Sequence, residues 1–175
     1  MIARPLALAL LLATISPALA EEPRIADTVV AAGVPPAQRA ADLAVVRAFY
    51  SFWNTGDQAM LDRAVAPTFT DHTLPPGRPQ GPSGPAFASK TFRAAVPDLG
   101  LTIETLIVEG DYVTVHMVFA GHFTGTFGTV HGTGQPIRFI ATDLLKITEG
   151  QVTDNWHIED NLTLLQQMGV AKLAM

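Results

Sequence analysis

Between Phe139 and Asp160 the chain runs through Phe139-Ile140-Ala141-Thr142-Asp143-Leu144-Leu145-Lys146-Ile147, turns at Thr148-Glu149-Gly150-Gln151, and returns through Val152 and Trp156-His157-Ile158-Glu159-Asp160. Two strand patterns separated by so short a turn can only pair antiparallel, because a parallel return needs a crossover of a dozen residues or more. Each strand also carries an aspartate among apolar neighbours, and aspartate is both disfavoured in strands and costly to bury as a charge. Alternation along the first strand puts Phe139, Ala141, Asp143, Leu145 and Ile147 on one face. The same count in the second strand groups Trp156, Ile158 and Asp160. Two carboxylates aimed into one apolar, sheet-lined cavity would make an acid/base site.

The patterns before this hairpin are consistent with it. Leu101–Val108 and Tyr112–Phe123 alternate as strands around a Gly110-Asp111 turn, and a glycine-rich excursion follows from Gly125 to Gly134. Upstream, Leu43, Val46, Tyr50 and Trp53 recur at helical spacing within Ala37–Asn54. Asp57 is placed to cap a short second helix reaching Ala64, and Ser83 a third reaching Val96, before Pro97. Asn161–Met168 reads as a short terminal helix closed by Gly169. Helices followed by a meander predict an α+β domain, N-terminal helices packed on a curved, mostly antiparallel sheet. Residues 75 to 84 form a Pro/Gly-rich loop, long enough to be a pocket rim or lid.

At the start, Arg4, the apolar run Leu6–Ala13, Pro17 and Ala18-Leu19-Ala20 have the form of a secretory signal peptide cleaved after Ala20. A periplasmic or secreted location follows as an expectation. Residues 21–36 are expected to be a flexible leader that the fold can lose, and residues 37–175 a single domain. Eleven basic residues stand against sixteen acidic ones, and no cysteine is present. Without a Lys/Arg cluster, a nucleic-acid partner and an anionic-membrane partner are both disfavoured, and no later stretch is long enough for membrane insertion once the signal is removed. The missing cysteine excludes thiol chemistry outright.

Four residues are singled out for chemistry: Asp160, Asp143 and the pair Asp71-His72. Asp160 precedes Asn161-Leu162-Thr163 and could equally cap the terminal helix, while Asp71 could simply close a turn. Desolvation in an apolar pocket would raise a carboxylate's pKa toward the working range of a general base. Val113, Val115, Met117, Phe119 and Phe123 share the apolar face of their strand, which leaves His116 and His122 facing outward. His131 lies in the glycine-rich excursion with no assigned side.

Several segments in this order resemble the SnoaL-like polyketide cyclase and ester cyclase family, of nuclear transport factor 2-like fold. They are Asn54-Thr55-Gly56-Asp57, Ala66-Pro67-Thr68-Phe69-Thr70-Asp71-His72, Val96-Pro97-Asp98-Leu99, Gly121-His122-Phe123-Thr124-Gly125, Thr133-Gly134, Asp143-Leu144-Leu145-Lys146 and Trp156-His157-Ile158-Glu159-Asp160-Asn161-Leu162 with Leu164-Leu165-Gln166-Gln167-Met168-Gly169. The resemblance implies a strongly curved sheet and a cone-shaped central pocket, a homodimer, and aldol-type ring closure with no metal and no cofactor. It implies a general acid/base aspartate at Asp160, with Asp143, Asp71 and His72 as polar support. Phe49, Tyr50, Trp53, Met117, Phe119, Phe123, Leu145 and Trp156 would line the substrate cavity. The chain departs from the family at Leu145, where relatives carry a polar side chain, and at His122-Phe123, where many place a histidine one residue later. The expected function is cofactor-free acid/base chemistry, as an aldol-type cyclase, isomerase or hydratase, on a small apolar carbonyl or polyketide-like compound. The alternative is a non-catalytic small-molecule-binding or dimerisation module of the same fold.

Overall fold

The computed structural model describes residues 22–172. The expected signal peptide and its cleavage point lie outside the described residues. Helix α1 (Pro36–Thr55) starts on a proline, whose missing N–H is harmless in a first turn. It stops at Gly56, which takes the left-handed conformation (φ 75°) and returns its N–H to the Phe52 carbonyl. Its buried side repeats at three- and four-residue steps through Asp42, Val45, Val46, Phe49, Tyr50 and Phe52, with Ser51 buried beside them. Helix α2 (Gln58–Ala64) is capped by the Asp57 carboxylate, which accepts from the Ala59 N–H. Helix α3 (Ser83–Ala95) makes no side-chain cap, and Ser83 is its first residue instead of the capping one expected.

The strands are β1 (Arg24–Val30), β2 (Val65–Asp71), β3 (Gly100–Glu109), β4 (Tyr112–Phe123), the short pair β5 (Thr126–Phe127) and β6 (Val130–His131), β7 (Gln135–Thr148) and β8 (Gln151–Glu159). Helix α4 (Asn161–Gln167) follows the last of them. The main sheet has the order β1-β3-β4-β7-β8-β2. Its four central strands pair antiparallel, while β1 joins β3 and β2 joins β8 in parallel. This is the α+β arrangement expected, with a mostly antiparallel curved sheet. Register shifts interrupt β2, β3 and the β7–β8 pair, and such bulges bend and twist a sheet.

One expectation fails outright. Residues 21–36 are not simply a leader, because Arg24–Val30 is a full edge strand in register with Thr102–Val108. Ala31 extends the pairing by donating to the Val108 carbonyl at 2.9 Å. The strand escapes the eye because it alternates weakly: only Ile25, Thr28 and Val30 are half-buried, and the others are exposed. A truncated chain beginning at Ala37 would therefore leave the β3 edge with unpaired N–H and C=O groups, a template for association. We expect that truncation to lower the unfolding midpoint and to produce self-association by light scattering. A truncated chain that is monodisperse, with an unchanged melt, would restore the leader.

The core lies between α1, α3 and the inner face of the sheet. Phe49, Tyr50 and Phe52 of α1 meet Ile103, Leu106, Val113, Val115, Met117, Phe123 and Leu145 from the strands, all essentially buried. Each such large apolar side chain contributes about 1.5–3 kcal/mol by leaving water. The glycine-rich excursion closes against this body. A Cβ on Gly125 would sit 1.9 Å from the Ala94 carbonyl oxygen, so that approach admits only glycine.

Candidate active site

The β7–β8 register decides what faces the core. Ala141 opposes Glu159, Asp143 opposes His157 and Leu145 opposes Asn155. Residues Ala141, Asp143, Leu145, Asn155 and His157 are buried and Glu159 is half-buried, whereas Leu144 and Ile158 on the other face are exposed. Lys146 pairs with Asp154 but the next residue, Ile147, pairs with Val152, so Thr153 is the extra residue of a bulge. Val152 is inward before the bulge and Asn155 inward after it, which inverts the alternation expected for β8. The face shared by Trp156, Ile158 and Asp160 is thus the outer one.

Asp160 is corrected accordingly. Its carboxylate accepts from the Thr163 N–H at 3.0 Å and caps α4, outside the cavity. Trp156 also leaves the expected cavity lining: its ring stacks on His72 at a centroid distance of 4.2 Å. His72 in turn bonds Asp154 at 2.7 Å, so it too stands away from the cavity, although its neighbour Asp71 lines it. Phe123 and Leu145 are fully buried in the core without lining the cavity. His116 and His122 face outward as expected, on Thr142 and Asp98 respectively, and His131 pairs with Thr126.

The cavity has two ends. Phe49, Trp53, Phe92, Leu99, Met117, Phe119 and Phe139 make an apolar wall, and the Phe119 and Phe139 rings lie near-parallel at 5.1 Å. Tyr50, Asp71, Arg78, Asp143, Asn155, His157 and Glu159 make the polar end. The cavity volume is about 40 Å³, room for a few waters.

At the polar end the Tyr50 hydroxyl donates to Asp143 Oδ2 at 2.7 Å. Burial pushes the Asp143 carboxyl up to about 6; the Tyr50 bond and the charge of His157 pull the other way without cancelling it. Burial, together with Asp143, drives the Tyr50 hydroxyl well above its ordinary value, so it stays a donor. Neither Arg138 nor Lys146, the nearest basic residues in sequence, reaches Asp143; Arg138 pairs with Glu104 on the outer face.

His157 is held between two carboxylates. Its Nε2 lies 3.1 Å from both oxygens of Asp71, and its Nδ1 lies 2.7 Å from Glu159 Oε1. Burial alone would strip the imidazolium of its proton, but Glu159 and Asp71 outweigh it and raise His157 to about 9. Burial likewise opposes the Glu159 charge, and His157 overcomes it, holding Glu159 below its usual range. The ring is therefore cationic at neutral pH and donates from both nitrogens. Asp71 also closes a turn, accepting from the Thr73 N–H at 2.9 Å, and Gln80 clamps its backbone from the Pro/Gly-rich loop. Both readings of Asp71, turn and cavity, hold together.

Arg78, Asn155, His157 and Glu159 were not foreseen. Among the described residues no group of three or more His, Cys, Asp or Glu side chains is placed to hold a metal ion, and no helix is long and apolar enough to cross a membrane.

The helix-covered, curved sheet has the nuclear transport factor 2-like fold, whose cone, here containing the Tyr50–Asp143 pair, suggests a small-molecule site. The SnoaL-like polyketide cyclase model matches residues 43–168, and the chain belongs to that family. Among solved structures, the "putative polyketide cyclase" of Bacillus cereus ATCC 10987 is 36% identical, over 88% of this chain and 97% of that one, with a TM-score of 0.79. TsrD from Streptomyces laurentii is 28% identical, covering 76% and 98% of the two chains, with a TM-score of 0.69. IdmH from Streptomyces antibioticus is also 28% identical, covering 72% and 96%, with a TM-score of 0.65. Comparison with the curated proteins gives no match. Membership and neighbours support a function of cyclase or isomerase type.

Proposed function

We propose that this protein is a cofactor-free acid/base enzyme that enolises a small carbonyl compound in its cone, with Asp143 moving the proton. One observation carries the reading: Asp143 is a buried carboxylate, raised to about 6, in a largely apolar cavity and hydrogen-bonded to a neutral phenol. A carboxylate so poised is ionised at neutral pH yet close to the optimum for a general base. It would take a proton from the carbon next to the carbonyl, leaving an enolate. Once Asp143 is protonated it is a poorer acceptor, which frees the Tyr50 O–H to donate to the enolate oxygen. Return of the proton to another carbon gives an isomerisation; attack of the enolate on a second carbonyl in the same molecule gives an aldol closure. The apolar wall would hold the hydrocarbon part of the substrate. Export through the N-terminal segment and a homodimeric state belong to the same proposal.

The test is product analysis with a panel of small carbonyl compounds. Wild type and Asp160→Ala should convert a responsive compound at similar rates, since Asp160 only caps a helix. Asp143→Asn should convert it at least about a hundredfold more slowly. A compound that binds and is never altered by the wild type would leave the fold with a binding role only.

A further inference from the structure

We infer that Arg78 is the anchor for a carboxylate on the substrate, so that the molecule taken is a small oxo acid and not a neutral carbonyl compound. This rests on the enolising site proposed above and adds the group by which the substrate is held. Arg78 comes from the Pro/Gly-rich loop, lines the cavity, and has a side chain only 15% exposed. Its nearest carboxylate oxygen, Asp71 Oδ2, is 3.8 Å away, beyond hydrogen-bond range. Asp71 does not need it, because the Thr73 N–H at 2.9 Å and His157 Nε2 at 3.1 Å already supply its donors. A guanidinium brings five N–H donors in a planar fork, and here they are free to meet a ligand that enters the cavity.

A second polar group of the same cavity also stands ready for a ligand. Asn155 is buried, lines the same cavity, and its Oδ1 has no hydrogen-bond partner. Arg78 and the Asn155 amide are thus two polar groups at one end of the cavity whose capacity the protein leaves unused. A carboxylate fits the Arg78 fork in bidentate fashion, while Asn155 Oδ1, an acceptor, would take an O–H or N–H elsewhere on the molecule. His157 is hydrogen-bonded to both Asp71 and Glu159, whereas Arg78 acts on Asp71 at 3.8 Å and on Glu159 through its charge alone, so its N–H donors are not taken up by either carboxylate. The small cavity and its aromatic wall set the rest of the molecule as a short or flat apolar group.

The experiment is calorimetric binding of two matched pairs, levulinate with methyl levulinate and benzoylformate with methyl benzoylformate. It reads binding alone, so its outcome is separate from whether Asp143 catalyses anything. At least one acid should bind about tenfold or more tighter than its ester, as expected for a charge-assisted bidentate contact. Arg78→Gln should collapse that preference while ester affinity stays near the wild-type value. Arg78→Lys, which keeps the charge and loses the fork, should retain part of it. Thermal melts of both variants check that the loop still folds. Acids that bind no tighter than their esters, a preference that survives in Arg78→Gln, or no saturable binding of either acid would each overturn the assignment.

Discussion

Asp143→Asn is expected to lower turnover by about 10²–10⁴-fold, the usual contribution of a positioned general base, while the folded chain persists. The asparagine keeps an oxygen for the Tyr50 hydroxyl, so the 2.7 Å contact has an acceptor in the variant. What disappears is the titration. The folded-state pKa of Asp143 is raised from 3.8 to about 6, which makes the protonated form the favoured one in the fold. Its contribution to stability is fully present below the unfolded value and lost as the pH rises through the folded value. Between pH 4 and pH 8 the wild type should thus lose about 2 kcal/mol from this group alone. Urea unfolding of both proteins at the two pH values reads the difference directly. The variant should show a correspondingly flatter dependence whatever its constant offset. A variant that keeps full turnover removes Asp143 from the mechanism; parallel pH dependences would mean that the carboxyl is not perturbed by burial.

Replacing His157 by glutamine should be the more damaging change to the fold. The imidazolium holds Asp71 and Glu159 together in a mostly buried cluster, with its own side chain 5% exposed. Breaking a buried pair from one side leaves uncompensated charge and costs about 3–5 kcal/mol. The sign with pH is again definite. The folded-state pKa of His157 is raised from 6.5 to about 9, so its stabilisation is complete below 6.5 and lost as the pH rises through 9. The destabilisation measured for His157→Gln should be large at pH 6 and fade above pH 9. A second readout separates this from general damage. The positive ring lowers the Asp143 pKa, so its removal should move the acid limb of the activity profile to higher pH. An unshifted acid limb would confine His157 to holding the fold.

Asp143 was legible in the sequence because an aspartate in an apolar strand, without a cation at matching parity, has few places to go except a cavity. The alternation that found it held through β7, where Phe139, Ala141, Leu145 and Ile147 are all buried beside it. In β8 the same rule misplaced the site. Trp156 and Ile158 looked like an inward face by their hydrophobicity, yet Ile158 is 75% exposed and Trp156 covers His72. The single extra residue at Thr153 transfers every later side chain to the other face. His157 and Glu159 were therefore one position away from being found, and the cost of burying two charges next to an imidazole gave no local pattern to read. Arg78 was hidden differently: its loop was recognised as a rim, but nothing in a Pro/Gly run says which side chain turns inward. The cone itself came through because turn spacing and helix-first order depend on local chemistry that no bulge alters.

The parallel edge strands also set an order of assembly. In the middle of the sheet, β3 meets β4 and β7 meets β8 across two-residue or comparably tight connections, so those pairings close short loops. At the rims, Arg24 must find Thr102 and Val65 must find Val152, each across much of the domain. Loop-closure entropy disfavours such distant pairings until other contacts have shortened the search. The central meander is therefore the expected nucleus, and both rims zip on afterwards. Since β2 ends in Asp71 and runs into the loop of Arg78, the polar end of the cavity is completed only in that last stage. Native-state amide exchange should show it as a gradient, with β4 and β7 most protected and β1 and β2 opening first; equal protection across the sheet would rule the sequence of events out. A pocket finished by the final strand to dock is one whose polar half can loosen without unfolding the rest, which gives a cavity this small a way to admit what it holds.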